Sequence, residues 1–408
     1  MKILVINCGS STLKFQLVAV EGEDIAPGQQ RSLAFGIVDR IGGHAAIRFS
    51  SENGESLQES ADVTDHSDAA RRVLGWLRSL GLIGHDRLDA VGHRVVHGGD
   101  RFVEATLIDD QTMDAIEDLS RLAPLHNEPS LEAIHAVGRL LGPDVPQVAI
   151  FDTAFHRTLP TRASMYAIPL ELAEKHGIRR YGFHGLAHRY MTERYGAITG
   201  TPIDTIKLIT VQLGNGCSAT AVDGGRAVDT SMGFTPLEGL MMGTRSGDVD
   251  PSLAGFLARK EGVDIDEVED WLNTRSGLLG VSGSSQDMRE LLEAERQGND
   301  RAALAVEMFC YRVRKCIGAY LAALGGARAL VFGGGIGENS PQVRARICED
   351  MEWCGLILDE ERNTQAIGVE RRISAEHSRI HAYVIPVDEG MIIACDTLRC
   401  LRGQQQGD

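Results

Sequence analysis

Short apolar runs recur along the chain, each closed by small or polar residues. "KILVIN" (2–7) and "LKFQLVAV" (13–20) are of strand length and are joined by the tight stretch "CGSST". "DAVGHRVVHGG" (89–99) and "PQVAIFD" (146–152) are two further apolar runs with polar exits. Between them "IDDQTMDAIEDLSRLA" (108–123) carries apolar residues at helical spacing, and "NEPSLEAIHAVGRLLG" (127–142) is a helical pattern that ends at a glycine. "LITVQLGNGCSATAVDGG" (208–225) is again strand, tight turn, strand. "ARALVF" (327–332) runs into "GGGIGENS", and "PQVRARICEDM" (341–351) leaves it with a helical pattern. Strands alternating with helices predict an α/β protein whose sheets are covered by helices.

The stretches at 4–18 and 208–225 are alike and lie about half the chain apart. They imply an internal duplication, two similar domains that each offer a hairpin turn to a cleft. Hairpins are common, and two unrelated sheets would look the same on this criterion alone.

The chain has 408 residues and 43% apolar content, enough for two or three domains, each with a core. A net charge of −16 argues against nucleic acid or an anionic membrane as the main partner. An anionic ligand would need locally placed Arg, Lys or metal. The eight cysteines are scattered, none in a CxxC pair, so a reducing cytosol is expected. "MKILVINCGSS" reads as a first strand rather than a signal peptide, and no run approaches the roughly 18 apolar residues of a membrane span.

Three turns of small residues expose backbone N–H groups that can converge on an anion. "NCGSSTLK" adds the hydroxyls of Ser10, Ser11 and Thr12 and the ammonium of Lys14; the alternative is an ordinary hairpin with a surface lysine. "QLGNGCS" offers Gly214, Asn215 and Gly216, or a simple type I′ turn built on Asn-Gly. "GIGEN" (335–339) is followed by Asn339 or Ser340 as a helix cap and Pro341 in the first turn, so a phosphate would meet a helix N-terminus. There is no GxxxxGK[ST], which excludes a P-loop, and no clean GxGxxG with an acidic residue about 20 positions on, which disfavours a dinucleotide fold.

Four further residues stand where α/β proteins carry chemistry, at strand ends and the loops after them. Arg94 closes an apolar run, Arg245 lies in the glycine-flanked "MMGTRSGDVDP", Asp152 ends a strand and His184 precedes a helix. Singly, each has a plain reading: a surface ion pair, a turn cap, a satisfied buried imidazole. Together with phosphate loops they point to phosphoryl transfer, which needs positive charge around the moving group more than covalent chemistry.

"NCGSSTLKF", "GHRVVHGG", "LAPLHN", "FDTAFH", "YGFHG", "LGNG", "MGTRSGDVDP", "GIGEN" and "DEGMIIACDT" span the chain from first strand to last helix. On these motifs, in this order and spacing, the chain resembles the acetate and butyrate kinase family. The resemblance implies two actin-like domains, each with an RNase H-like core, and an active-site cleft between them. The domains would cover 1–151 plus 387–408, and 152–386. It implies a cytoplasmic homodimer that phosphorylates acetate from ATP, giving acetyl phosphate and ADP, with Mg²⁺ (or Mn²⁺). By the same resemblance Asp152, His184 and Arg245 are catalytic. Arg94 clamps the substrate carboxylate, and Val96, Leu125, Phe183 and Pro236 wall in its methyl group. Lys14, the stretch Gln212, Leu213, Gly214, Asn215 and Gly216, the set Asp287, Met288 and Arg289, and the loop Gly335, Ile336, Gly337, Glu338 and Asn339 contact ATP. Asn7 and Glu389 hold the metal.

A carboxylate is already ionised at pH 7, so this reaction needs no strong base; its difficulty is bringing an anion to a polyanion. Asp152 is therefore expected to orient Arg94 or the metal rather than to abstract a proton. The chain departs from the family at Gln212, where His is usual, at Thr12 for Ser, and in "DEG" (388–390) for Asn-Glu-Glu. The competing readings are a propionate or butyrate kinase, and an actin-like ATP-binding protein with weak turnover.

Overall fold

The structure, a computed structural model, describes residues 1–20, 30–84, 88–120 and 124–405. The chain divides into two compact units: Met1–Ala154 with the tail from Asp388 onward, and Phe155–Val387. The expected boundary at 151/152 lies three residues earlier than the division at Ala154/Phe155, which keeps Asp152 in the unit that holds Arg94.

The first unit is built on a sheet of eight strands. β1 (Lys2–Gly9), β2 (Thr12–Ala19), β3 (Arg31–Asp39), β4 (Gly43–Ser51) and β5 (Ser56–Val63) form an antiparallel meander. β6 (Ala90–Val95) and β8 (Gln147–Phe151) continue it in parallel, and β7 (Thr106–Leu107) closes the edge, giving the order β5-β4-β3-β2-β1-β6-β8-β7. One face carries Leu4, Ile6, Leu13 and Phe15 into a core with Phe49 and Trp76, whose rings meet Phe15 at 5.0 and 6.1 Å. The other face is covered by the helix Glu389–Gln405. That helix comes close because Gly92 of β6 has no side chain: a Cβ there would stand 2.3 Å from Thr397 Oγ1.

The second unit repeats the scheme. β9 (Lys207–Leu213), β10 (Cys217–Asp223) and β11 (Arg226–Thr230) are antiparallel, β12 (Ala329–Gly333) and β14 (His381–Val384) run parallel to β9, and β13 (Arg371–Arg372) closes the order β11-β10-β9-β12-β14-β13. The run β11-β10-β9-β12-β14 thus has the order and directions of β3-β2-β1-β6-β8. The expected duplication is present at the level of topology, and β9 stands to its unit as β1 does to the first.

Two turns differ from expectation. The β9–β10 connection is three residues, 214–216, none with positive φ, so it is not a type I′ turn, which needs two. The glycine stretch after β12 is itself a short helix, Gly334–Asn339, and Ser340 caps the next one, Pro341–Cys348. Gly334 makes the abrupt switch from strand to helix: its φ is +76°, and a Cβ would lie 2.6 Å from the Leu213 carbonyl oxygen. Gly334→Ala is therefore expected to cost at least the roughly 1–2 kcal/mol of a left-handed residue, plus the clash. Thermal unfolding followed by circular dichroism will show a melting temperature lowered by several degrees; an unchanged melting curve contradicts this account of the turn.

Candidate active site

In the first unit the pairing register assembles a polar row across three strands. Asn7 of β1 is paired with Lys14 of β2 and with Arg94 of β6, and paired residues share a face of the sheet. Arg94 Nη1 donates to Asn7 Oδ1 (3.2 Å), Arg94 Nη2 donates to Asp152 Oδ2 (2.8 Å), and Asn7 Nδ2 donates to Glu389 Oε2 (2.9 Å). Asp152, the first residue past β8, is fully buried. Burial disfavours the Arg94 charge, but Asp152 and Glu389 outweigh it and leave the guanidinium more firmly protonated than usual. Arg94 is thus neither a surface ion pair nor a loose clamp; Asp152 and Asn7 aim it. Lys14 is exposed in the same row, and Val96 is buried two residues past Arg94. Leu125 lies in the first turn of the helix Pro124–Leu141, and its side chain is outside the described residues.

Asp388 stands beside this row. Its Oδ1 accepts from the Met391 N–H and its Oδ2 from Gln16 Nε2 at 3.5 Å. Gln16 fills the space that the side chain at 390 would take: a Cβ on Gly390 would lie 1.8 Å from Gln16 Oε1. Among the described residues no group of three or more His, Cys, Asp or Glu could by itself hold a metal. The carboxylates of Glu389 and Asp388 and the amide of Asn7 are nevertheless hard oxygen donors, and they suit an ion such as Mg²⁺ that keeps waters and shares ligands with phosphate.

In the second unit His184 and Arg245 converge on one point. A Cβ at Gly216 would stand 3.3 Å from His184 Nε2 and 3.8 Å from Arg245 Nη1. His184 caps the helix Gly185–Thr199 in the left-handed region (φ +57°), and its Nδ1 lies 2.9 Å from Ser218 Oγ. Arg245 is held by its loop: Gly243 N–H donates to the Asn215 carbonyl, and Met242 N–H to the Arg245 carbonyl. Its Nη1 reaches only the Pro236 carbonyl (3.4 Å) and Met242 Sδ (3.9 Å), and no carboxylate pairs with it among the described residues. Burial alone pulls its pKa below the ordinary arginine value. A half-desolvated guanidinium with no anion is a place for one. Phe183, next to His184, is buried and Pro236 partly so.

Gln212, paired with Ser218 across β10 and with Gly333 across β12, has a buried Oε1 with no hydrogen bond. Leu213 is buried, Gly214 and Gly216 are partly exposed and Asn215 is exposed. In the glycine turn Gly335 and Asn339 are exposed, Ile336 is partly so and Gly337 is buried. Glu338 points inward: Oε1 accepts from Gly334 N–H (2.8 Å) and Val387 N–H (3.0 Å), and burial raises its pKa despite both bonds. Asp287 caps the helix Met288–Arg296 and holds Arg289 through both carboxylate oxygens, while Met288 is buried.

Sequence reasoning did not single out Arg344. It is fully buried, yet no carboxylate meets it; its guanidinium donates to the carbonyls of Gly337, Glu338, Asn363 and Ala366 and to Asn363 Oδ1. It thereby ties the end of the glycine turn to the end of the helix Glu360–Gln365, where helix carbonyls lack partners. Burial lowers its pKa to about 10. The "VR" after "GENSPQ" was visible, but its partners 19 to 22 residues on were not.

With this geometry in hand, a family model described as the acetokinase family matches residues 2–395. The chain belongs to the acetokinase family. It is 49% identical to a protein named acetate kinase from Solibacter usitatus, over 99% of both chains. Its fold is similar to the crystal structure of Porphyromonas gingivalis acetate kinase (42% identity, TM-score 0.90, covering 98% of this chain and 99% of that one). It is also similar to that of a propionate kinase from Francisella tularensis (38% identity, TM-score 0.89, covering 97% and 98%). Among the described residues no helix is long and apolar enough to cross a membrane.

Asp152→Asn removes the only carboxylate hydrogen-bonded to Arg94 while keeping the shape. Leaving a buried charge without its partner typically costs about 3–5 kcal/mol. Chemical denaturation will show a destabilisation of that order; a loss below about 1 kcal/mol would mean that Glu389 compensates the charge by itself.

Proposed function

We propose that this protein is an acetate kinase, transferring the γ-phosphoryl group of ATP reversibly and in line to acetate to give acetyl phosphate and ADP. The observation that carries the reading is Arg245: a positive charge without a counter-ion, facing the same point as His184 beside a glycine that leaves the space open. A phosphoryl group with charge on its equatorial oxygens is the ligand such a pair would stabilise. The second reading, a nucleotide switch without an acceptor, has no use for a buried arginine aimed by Asp152 and Asn7 in the first unit.

On this reading Arg94 binds and aligns the acetate carboxylate through N–H groups not spent on Asp152 and Asn7. Asp152 does not abstract a proton, since the nucleophile carries none; it keeps Arg94 charged and oriented. Lys14 and Arg245 neutralise phosphate oxygens, and His184 donates to one of them. Asn7 and Glu389, with Asp388 beside them, would hold Mg²⁺ (or Mn²⁺), which supplies charge neutralisation for the nucleotide phosphates. The 212–216 stretch and the turn 335–339 would lie along the nucleotide, with Asp287 and Arg289 toward the nucleoside. Glu338 and Met288 would support those contacts from beneath, given where their side chains point. Val96, Leu125, Phe183 and Pro236 would meet the methyl group. We place the protein in the cytoplasm as a homodimer, by family likeness.

A hydroxamate assay for acetyl phosphate, with ATP, acetate and Mg²⁺, tests the reading directly: product is expected, and its absence refutes it. An apolar pocket discriminates one extra methylene by about 1–3 kcal/mol, so propionate is expected to have a kcat/KM about 10- to 200-fold below that of acetate. A ratio favouring propionate would instead align the chain with the propionate kinase it resembles in fold. Gln212 can offer only neutral hydrogen bonds, roughly half as strong as charge-assisted ones, so Gln212→His is expected to raise kcat. No gain in that variant would show that another group already compensates.

A further inference from the structure

The interior of the second unit contains a chain of polar side chains where apolar ones would ordinarily pack. His156, His188, Thr210, Ser218, Thr220 and Thr230 are all buried. His188 Nδ1 lies 2.7 Å from Thr210 Oγ1, and His188 Nε2 lies 2.7 Å from Ser218 Oγ. Ser218 Oγ in turn lies 2.9 Å from His184 Nδ1. At the far end Thr210 Oγ1 meets the Thr220 carbonyl at 3.4 Å.

The far end decides which way the protons run. A carbonyl can only accept, so the single hydroxyl proton of Thr210 goes to Thr220 O. The Thr210 oxygen then accepts from His188, which must carry its proton on Nδ1. Burial, with His156 and His184 adding to it, holds the His188 pKa well below the ordinary value, so the ring is neutral and has no second proton. Its Nε2 therefore accepts, and the only donor there is the Ser218 hydroxyl. With that proton committed, the Ser218 oxygen has only lone pairs left for His184, and His184 Nδ1 must be the donor.

We propose that Ser218 is a positioning residue that fixes the proton of His184 on Nδ1, in a direction set by Thr210 through His188. The inference rests on the reading above, in which His184 serves the phosphoryl group. Its consequence is chemical: the Nε2 edge, which faces Gly216 beside Arg245, can donate to a phosphoryl oxygen only when the ring is the imidazolium. The bond made in the transition state is then charge-assisted, and a neutral N–H donor is ruled out by the wiring rather than by the pKa of the ring.

Two variants test this at different distances. In Ser218→Ala the acceptor for His184 Nδ1–H is gone while the His188–Thr210 bond remains. In Thr210→Val, a near-isosteric change remote from His184, the His188 Nδ1–H would be a buried donor without an acceptor. His188 is then expected to move its proton to Nε2 and donate to Ser218, whose hydroxyl turns to His184 Nδ1. The readout is long-range ¹H–¹⁵N correlation of the histidine rings in the full-length protein at alkaline pH, with His184→Gln and His188→Gln identifying the two signals.

The expected pattern is Nδ1–H on both rings in the parent protein, Nε2–H on both in Thr210→Val, and Nε2–H on His184 alone in Ser218→Ala. A parent protein with His184 protonated on Nε2, or a His184 pattern common to all three, overturns the proposal. In the kinetics, both variants are expected to lower kcat by at least about tenfold while the KM values for ATP and acetate stay within about twofold, as for an interaction made only in the transition state. An unchanged kcat overturns the catalytic consequence. Should the parent form no acetyl phosphate, the functional reading fails, while the ring patterns still decide the wiring. If Ser218→Ala does not fold, Thr210→Val decides.

Discussion

Removing a guanidinium from water costs several kcal/mol unless the protein replaces the lost solvent, and the molecule meets that cost in three different ways. Arg94 is given a buried carboxylate and an amide, so its charge is retained and its direction fixed. Arg344 is given only carbonyl and amide oxygens, four of them backbone carbonyls, and serves as a brace beneath the glycine turn. Arg245 is given almost nothing, a distant carbonyl and a thioether. The compensated arginines are parts of the framework; the uncompensated one is the place where a ligand finishes the structure.

The duplicated sheet makes these placements possible. In each unit the first strand pairs with a hairpin partner on one side and a parallel strand on the other. One position near its end therefore faces both neighbours: Asn7 between Lys14 and Arg94, Gln212 between Ser218 and Gly333. One architecture thus produces a charged row in the first unit and a neutral, hydroxyl-bearing one in the second.

How much of this was legible in the sequence depended on range. Strand ends are local, and they located Asp152 after β8 and His184 before its helix. The two hairpins were read as a duplication, which the strand orders bear out. What was missed is nonlocal or stereochemical. The glycine run was read as a turn because glycine is a poor helix former, yet a positive φ at Gly334 lets a helix begin at once. Glu338 was read as a ligand contact because it sits in the motif, but its partner is Val387, 49 residues on. "DEG" looked like the loss of an acidic residue; the space is occupied by Gln16, far off in sequence and adjacent in the fold. Ser218 and Thr210 carried no signal at all, since serine and threonine are ordinary in a strand.

His184 occupies a backbone region that a residue with a side chain enters at a cost of roughly 1–2 kcal/mol. Glycine would relieve that strain and asparagine would bear it more easily, and neither brings an imidazole. Engineering for heat tolerance alone would therefore be drawn to position 184 and would erase the group beside Arg245 in doing so. The chain gives up rigidity there to keep a ring nitrogen at one point in space, and a stability-ranked design of this protein has to hold that position constant.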